Sequence, residues 1–245
     1  MSHKSSPLLD VTNLSKAYGR EQVLKDVNLR VDAGKTTAIL GQSGCGKTTL
    51  LKILAGLEGS DNGEINLKGQ SITNVSPRKR GMVYLYQEAL LFPHLNVFDN
   101  IAFGLRLKKM SEPDIQYKVE EKLVALGLEK HSHKMPNQLS GGQRGRVNFG
   151  RALIIKPQML LLDEPFGALD TNTRARMQNL FTQVAHAEGI STLLVTHDLK
   201  EALLMGDAFA HMDGGNLTSY ASRDQFINAP ETGVISERDF WQGLD

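Results

Sequence analysis

The sequence predicts an α/β protein whose core is a mostly parallel sheet covered by helices. After Pro157, strand-like and helix-like segments alternate along the chain. They cover residues 159–162, 171–186, 191–196, 199–205 and 208–212. Such alternation indicates a parallel sheet, because each helix returns the chain to the start of the next strand. The first 40 residues hold three strand-like segments, 8–14, 23–31 and 36–40, punctuated by glycine. We also expect an N-terminal antiparallel β subdomain.

The middle of the chain has a helical character. Ser111, followed by Glu112 and Pro113, is typical of a helix start, and an apolar stripe with helical spacing comes after it. We therefore expect a helical subdomain at about residues 88–150, inserted into a domain of residues 1–215. Residues 216–245 are polar with scattered apolar positions, and we expect them to form a short C-terminal tail.

Composition limits the class of protein. The chain has 245 residues, is 40% apolar and 22% charged, and carries a net charge of +1. This balance gives no electrostatic support for nucleic-acid binding or for direct membrane insertion. The single cysteine excludes an intrachain disulfide and fits a reducing compartment. No apolar run reaches 18 residues and the N-terminus lacks the apolar core of a signal peptide, so we expect a cytoplasmic protein.

One segment combines glycines with a lysine and a hydroxyl residue in the spacing of a phosphate-binding loop. It consists of Gly41, Gln42, Ser43, Gly44, Cys45, Gly46, Lys47 and Thr48. It lies between an expected strand at 36–40 and a helix expected from Gly46 to Leu54. In such a loop the backbone N–H groups face phosphate oxygens, Lys47 reaches the β- and γ-phosphates, and Thr48 holds Mg²⁺. Thr49 completes the expected nucleotide-binding set, and a glycine-rich turn with a chance lysine is the alternative.

Two adjacent carboxylates end a buried strand. Residues 159–162 are all apolar, and Asp163 and Glu164 follow them. Packing explains the apolar run but not two acids at its end, because burying such charges is costly without a cation or hydrogen bonds. We expect Asp163 to bind Mg²⁺ and Glu164 to activate the attacking water. With the phosphate loop, this pair predicts a P-loop NTPase core.

A third motif narrows the class of NTPase. Residues 139–143, Leu-Ser-Gly-Gly-Gln, precede a probable helix, and Gln143 lies 20 residues before Asp163. With this motif the sequence resembles the ATP-binding cassette (ABC) family from about Leu8 to Gly215. A serine-capped helix with a glycine turn is the structural alternative, and such a cap does not by itself need Gln143.

The resemblance implies roles for further residues. Tyr18 matches the aromatic residue that stacks on adenine, and Gln87 matches the glutamine, expected at a strand end, that senses Mg²⁺ and the γ-phosphate. His197 matches the histidine that holds the γ-phosphate. In the family two cassettes face head to tail, and one cassette contributes contacts to the nucleotide on the other. Here those contacts correspond to Ser140, Gly141, Gly142, Gln143 and Asp170.

The segment 86–101 resembles the importer branch that serves polyamines, ferric iron, sulfate, molybdate, thiamine and sugars. The resemblance implies a homodimer or paired cassette, a separate membrane permease contacted through this segment, an external solute-binding protein, and a location on the inner face of the membrane. Several such relatives carry a C-terminal regulatory domain, and this chain resembles the smaller cassettes without it. A soluble non-transport ATPase and an exporter cassette remain alternatives.

The thiol of Cys45 lies inside the expected phosphate loop. N–H groups at a helix start favour a thiolate. A small space-filling residue is the alternative. If the thiolate forms, alkylating reagents should inhibit hydrolysis and bound ATP should protect.

Overall fold

The computed structural model describes residues 6–242 and contains two β-sheets with eight α-helices around them. The strands are β1 Leu9–Tyr18, β2 Glu21–Val31, β3 Thr36–Leu40, β4 Asn62–Leu67, β5 Gln70–Ser71, β6 Met82–Leu85, β7 Met159–Asp163, β8 Ser191–Thr196, β9 Ala208–Asp213 and β10 Asn216–Tyr220. The helices are α1 Lys47–Ala55, α2 Val97–Leu107, α3 Glu112–Ala125, α4 Gly141–Leu153, α5 Thr171–Ala187, α6 Leu199–Met205, α7 Arg223–Asn228 and α8 Val234–Gln242. Two ends of the chain lie outside the described residues. They are residues 1–5, part of the N-terminus that lacks the apolar core of a signal peptide, and residues 243–245, the end of the expected tail.

The larger sheet has six strands in the order β10-β9-β3-β8-β7-β6. All neighbours from β9 to β6 run parallel, and only β10 pairs antiparallel with β9. Strand β8 is buried at every position and β7 at all but its last, as expected for central strands covered by helices on both faces. The α/β fold class predicted from the alternating segments is therefore confirmed.

The smaller sheet has four antiparallel strands in the order β2-β1-β4-β5. Its inner-face side chains join those of α1 and of the large sheet in one apolar cluster. Leu9, Leu24 and Leu50 are fully buried there, one from each of β1, β2 and α1. This contact fixes the position of α1, which directly follows the expected phosphate loop.

Helices α2, α3 and α4 form a layer with an apolar cluster of its own. Ser111 caps α3 by accepting a hydrogen bond from the Asp114 N–H, and the predicted stripe of Val119 and Leu123 is buried. Helix α4 also contacts α5, because Gly142 lies so close to Thr173 that an added Cβ would come within 2.5 Å of its methyl group.

Some local expectations differ from the structure. Helix α1 begins at Lys47 rather than Gly46, because Gly46 has a φ of 112° and lies outside helical geometry. Strand β6 ends at Leu85, so Gln87 lies in the loop after it.

The segment after Gly215, expected as a tail, begins with a strand of the large sheet. Strand β10 forms a hairpin with β9, so a boundary placed at 215 falls inside that hairpin. Phe226 of α7 is fully buried and stacks on Phe209 of β9 with ring centroids 4.9 Å apart. Over residues 6–242, no helix is both long enough and apolar enough to cross a membrane.

Candidate functional site

The candidate site lies at the carboxyl edge of the large sheet. Leu40 of β3 pairs with Thr196 of β8, and Asp163 of β7 pairs with Val195 of β8, so these strands end side by side. In open parallel sheets ligands bind outside this edge, because the loops that follow neighbouring strands converge there. The loops after β3, β6, β7 and β8 carry most of the residues singled out in the sequence.

Two glycines allow the phosphate loop to pass close to neighbouring backbone. A Cβ on Gly41 would lie 2.4 Å from the carbonyl oxygen of Met212, and one on Gly46 would lie 2.7 Å from that of Val23. The Gly215 N–H also donates to the Cys45 carbonyl at 3.2 Å. The loop is therefore held by β2 and by the β9–β10 hairpin, in a shape that larger residues at 41 and 46 would not permit.

The ammonium group of Lys47 lies inside the loop. Its Nζ donates to the carbonyl oxygens of Gly41 at 2.7 Å and Gln42 at 2.8 Å, and the residue is 4% exposed. Glu164 Oε1 is 4.0 Å from the same nitrogen. A buried cation needs oxygens around it. The structure thus keeps a positive charge at the start of α1, where the N-terminal dipole also favours an anion.

Asp163 accepts a hydrogen bond on each of its two oxygens. The Thr48 hydroxyl donates to Oδ1 at 3.0 Å, and the Tyr84 hydroxyl donates to Oδ2 at 2.5 Å. Burial, together with the hydrogen bond to Asp163, raises the pKa of Tyr84 far above its usual value. The phenol therefore remains protonated and can donate at any physiological pH.

Glu164 contacts strand β8 and the loop that follows it. Its Oε2 lies 2.8 Å from Nδ1 of His197, and its backbone N–H donates to Val195 at 3.1 Å. Its φ of 46° is left-handed, a conformation that costs free energy for a non-glycine residue and is concentrated at functional sites. The hydrogen bond to Val195 and a turn in which the Gly167 N–H donates to the Glu164 carbonyl at 3.1 Å hold this conformation, with the carboxylate near His197 and Lys47.

A cavity of about 330 Å³ opens between these groups. It is lined by Val23, Ser43, Gly44, Gly46, Lys47, Thr48, Thr49, Gln87, Asp163 and Glu164. The structure therefore brings Gln87 to the same cavity as the phosphate loop and the carboxylate pair. Ser140, Gly141, Gly142, Gln143 and Asp170 are not among the residues that line it.

Tyr18 lies beside this cavity rather than in its lining. Its phenol, 47% exposed, donates to Glu58 and also contacts Thr49, a residue of the cavity wall. The hydrogen bond to Glu58 is the largest cause of a raised Tyr18 pKa. Lys16 lies over the ring at 5.4 Å from its centroid. The Tyr18 ring is therefore partly exposed to solvent, next to the start of α1.

Gln143 has a structural role that the sequence argument missed. The Gln143 N–H donates to the Ser140 hydroxyl at 3.3 Å, while the Gln143 side-chain oxygen accepts from the Ser140 N–H at 2.9 Å. This reciprocal pair is a capping box at the start of α4. The expectation that a serine cap does not need Gln143 was therefore wrong, because the glutamine closes the cap.

Asp170 and Arg174 organise the loop before α5. Asp170 caps α5 through the Thr173 N–H at 3.0 Å, and hydrogen bonds from Thr173 lower the pKa of its exposed carboxyl. Arg174 donates to the Leu169 carbonyl at 3.1 Å and to Asp198 at 3.4 Å. Arg174 thereby joins the loop that carries Asp170 to the residue after His197.

Tyr84 and Arg174 were not identified from the sequence. An aromatic residue in a strand indicates packing, and an arginine on an amphipathic helix indicates a solvated face. The spacing of Arg174 from Asp170, one helical turn, could have indicated a contact with the capped loop. Nothing in the sequence pairs the phenol of Tyr84 with Asp163, because the two residues are 79 positions apart and strands β6 and β7 meet only in the sheet.

A family model and individual relatives match the chain to the same protein family. The family described as "ABC transporter" matches residues 24–167. A sulfate/thiosulfate import ATP-binding protein of Neisseria meningitidis is 42% identical over 233 residues, which is 94% of this chain and 65% of the relative. A spermidine/putrescine import ATP-binding protein of Thermotoga maritima is 44% identical over 222 residues, which is 91% of this chain and 60% of the relative. The chain thus spans less than two thirds of the length of these relatives.

The thiol of Cys45 does not have the environment expected of a reactive thiolate. The residue is 9% exposed, and burial raises the pKa of the thiol even though Lys47 acts in the opposite direction. Its Sγ would lie 2.8 Å from a Cβ on Gly41, so it fills space behind the loop. The hypothesis of an activated thiolate was wrong, and the space-filling alternative agrees with the structure.

We therefore expect iodoacetamide to alkylate Cys45 severalfold more slowly in the folded protein than in the chain unfolded by guanidinium at the same pH between 7 and 8. A raised pKa leaves less thiolate at each pH, and burial limits access. Rates followed by mass spectrometry report on this one thiol, since the chain has a single cysteine. Equal or faster alkylation of the folded protein would contradict the assignment.

Proposed function

Because this chain belongs to the ABC transporter family, we propose that it is the ATP-binding and ATP-hydrolysing subunit of an ABC importer, acting with a separate membrane permease. One observation carries the proposal. Lys47, Thr48, Gln87, Asp163 and Glu164 come from distant parts of the sequence and surround a single cavity at the start of α1. That arrangement suits a nucleoside triphosphate with its metal.

Phosphate binding rests on Lys47 and the loop around it. The loop carbonyls that now accept from Nζ leave the ammonium at the base of the cavity, within reach of anionic oxygens. The backbone N–H groups of Lys47, Thr48 and Thr49 are in the first turn of α1, where an α-helix provides no intrahelical acceptors. Tyr18, beside Thr49, supplies an exposed ring for the adenine base.

The oxygens near Thr48 fit Mg²⁺. The Thr48 hydroxyl, the Asp163 carboxylate and the side-chain oxygen of Gln87 are hard ligands at one wall of the cavity. Mg²⁺ is usually held by one or two such groups together with phosphate oxygens and water. When bound, Mg²⁺ neutralises charge on the β- and γ-phosphates.

Glu164 is the proposed general base. Its carboxylate lies at the cavity wall and beside the His197 ring, so it can accept a proton from a water that attacks the γ-phosphate. His197 orients this carboxylate and presents its ring to the γ-phosphate. Lys47 Nζ lies 4.0 Å from Glu164 Oε1, so the proposed base is next to the cation that would bind the phosphates.

A second copy of the chain completes the site in this proposal. Ser140 is exposed at the start of α4, and its hydroxyl and the neighbouring N–H groups can bind an anion. These groups do not line the cavity of their own chain, as a role in binding the nucleotide of the partner copy requires. Asp170 is exposed on the loop that Arg174 connects to Asp198, a position suited to contact across the dimer.

The variant Glu164→Gln tests this mechanism. It keeps the shape of the side chain but cannot accept the proton, so the rate of hydrolysis should fall by about 10²–10⁴. ATP binding should persist, because Lys47, Thr48 and Asp163 are unchanged. Size-exclusion chromatography should show a dimer with ATP and Mg²⁺ and a monomer without nucleotide.

Lys47→Ala is the matched control, because it fails at binding and should remain monomeric with ATP. A Glu164→Gln protein that hydrolyses ATP at the wild-type rate would assign the base to another group. An inactive variant that binds ATP but stays monomeric would instead refute the role given to the second copy.

The import function and the partners rest on the family and on one surface. The relatives named above are import ATP-binding proteins. In the segment 86–101, Val97 is fully buried, whereas Leu90 is 54% exposed. Leu90 directly follows residues that line a cavity of about 280 Å³, together with residues of β6, α4 and the loop after β7. We expect the exposed surface around Leu90 to bind the permease, which in turn binds an external solute-binding protein. The chain would then sit on the inner face of the membrane. An exporter or a soluble ATPase is the alternative.

Leu90→Glu places a charge on this surface and should abolish co-purification with a cognate permease co-expressed with the chain, while ATP binding by the isolated chain is unchanged. Leu204→Glu is the control, since Leu204 is similarly exposed, at 51%, but lies on α6. Retention of the permease by Leu90→Glu, or equal loss with both variants, would contradict docking at this segment.

A further inference from the structure

Tyr84 contacts Asp163, the carboxylate proposed to bind the metal, although no sequence motif includes Tyr84. It lies in the middle of β6 and pairs with Leu161 of β7, two residues before Asp163. Its hydroxyl donates to Oδ2 of Asp163, the last residue of β7, at 2.5 Å. The side chain packs against the apolar cluster between α1 and the sheet, and its ring centroid is 4.5 Å from that of Tyr86. These contacts restrict the position of the Tyr84 ring.

The two donors to Asp163 restrict its carboxylate to one orientation. Thr48 binds Oδ1 from the α1 side, and Tyr84 binds Oδ2 from the β6 side. A carboxylate free to rotate about its χ angles loses conformational entropy when a metal fixes it. A carboxylate already fixed by two hydrogen bonds loses less, and each of its oxygens retains a second lone pair for a metal-bound water.

We propose that Tyr84 is a positioning residue for magnesium, acting through Asp163 rather than touching the metal. This inference rests on the proposed function, because it takes Thr48 and Asp163 as the magnesium site. Groups that orient metal ligands through hydrogen bonds typically change metal affinity by about 10–100-fold when they are removed. Tyr84 is not among the residues that line the cavity, so we expect its effect to be confined to the metal.

The test uses Tyr84→Phe, which removes the hydroxyl and keeps the ring. The affinity for Mn²⁺, a spectroscopic substitute for Mg²⁺, is measured by electron paramagnetic resonance with the full chain and a non-hydrolysable ATP analogue. We expect the dissociation constant for Mn²⁺ to rise by about tenfold or more. The affinity for the same analogue in EDTA should equal that of the wild type.

Tyr220→Phe is the matched control, because the Tyr220 phenol also donates to a carboxylate, that of Glu231 at 2.8 Å, away from the metal ligands. It should leave Mn²⁺ affinity unchanged. The inference is overturned if Tyr84→Phe binds Mn²⁺ as tightly as the wild type, or if it loses nucleotide affinity in EDTA by the same factor. A wild-type protein that binds the analogue but shows no protein-bound Mn²⁺ in its presence would instead refute the magnesium site.

Discussion

The burial of the Lys47 ammonium within its own loop is the constraint on which the rest of the site depends. A charge that is 4% exposed must be surrounded by oxygens, and here two loop carbonyls and a more distant carboxylate surround it. Those carbonyls can point inward only if the loop turns tightly. The turn requires glycine at 41 and 46, where neighbouring backbone oxygens leave no room for a Cβ.

The tertiary structure supplies what the loop cannot supply alone. The hairpin β9–β10 and strand β2 contact the loop through Met212, Gly215 and Val23. The parallel register of β3, β7 and β8 then sets the carboxylates and His197 at one edge. The antiparallel sheet and strand β10 therefore support the proposed nucleotide site, although only Val23 of these elements lines its cavity.

Much of this arrangement could be predicted from local patterns. The strand-like segments at 36–40 and 191–196 predicted β3 and β8 with their bounds, and glycine spacing placed the expected phosphate loop before α1. The pairing of Tyr84 with Asp163 could not be predicted, because it depends on the register between two strands distant in sequence. The capping role of Gln143 was overlooked because a family motif already accounted for the residue. The state of Cys45 depends on burial behind the loop, which a helix-start argument does not include.

The most direct test asks whether one chain or two chains form a hydrolytic site. It measures the rate of ATP hydrolysis per chain as a function of protein concentration, at saturating ATP and Mg²⁺. A site completed by Ser140 of a second copy predicts that the rate per chain rises with concentration and levels off once the dimer dominates. The total rate should then approach second order at the lowest concentrations. A rate per chain that is constant across the whole range would contradict the account, because it would place all the catalytic groups within a single chain.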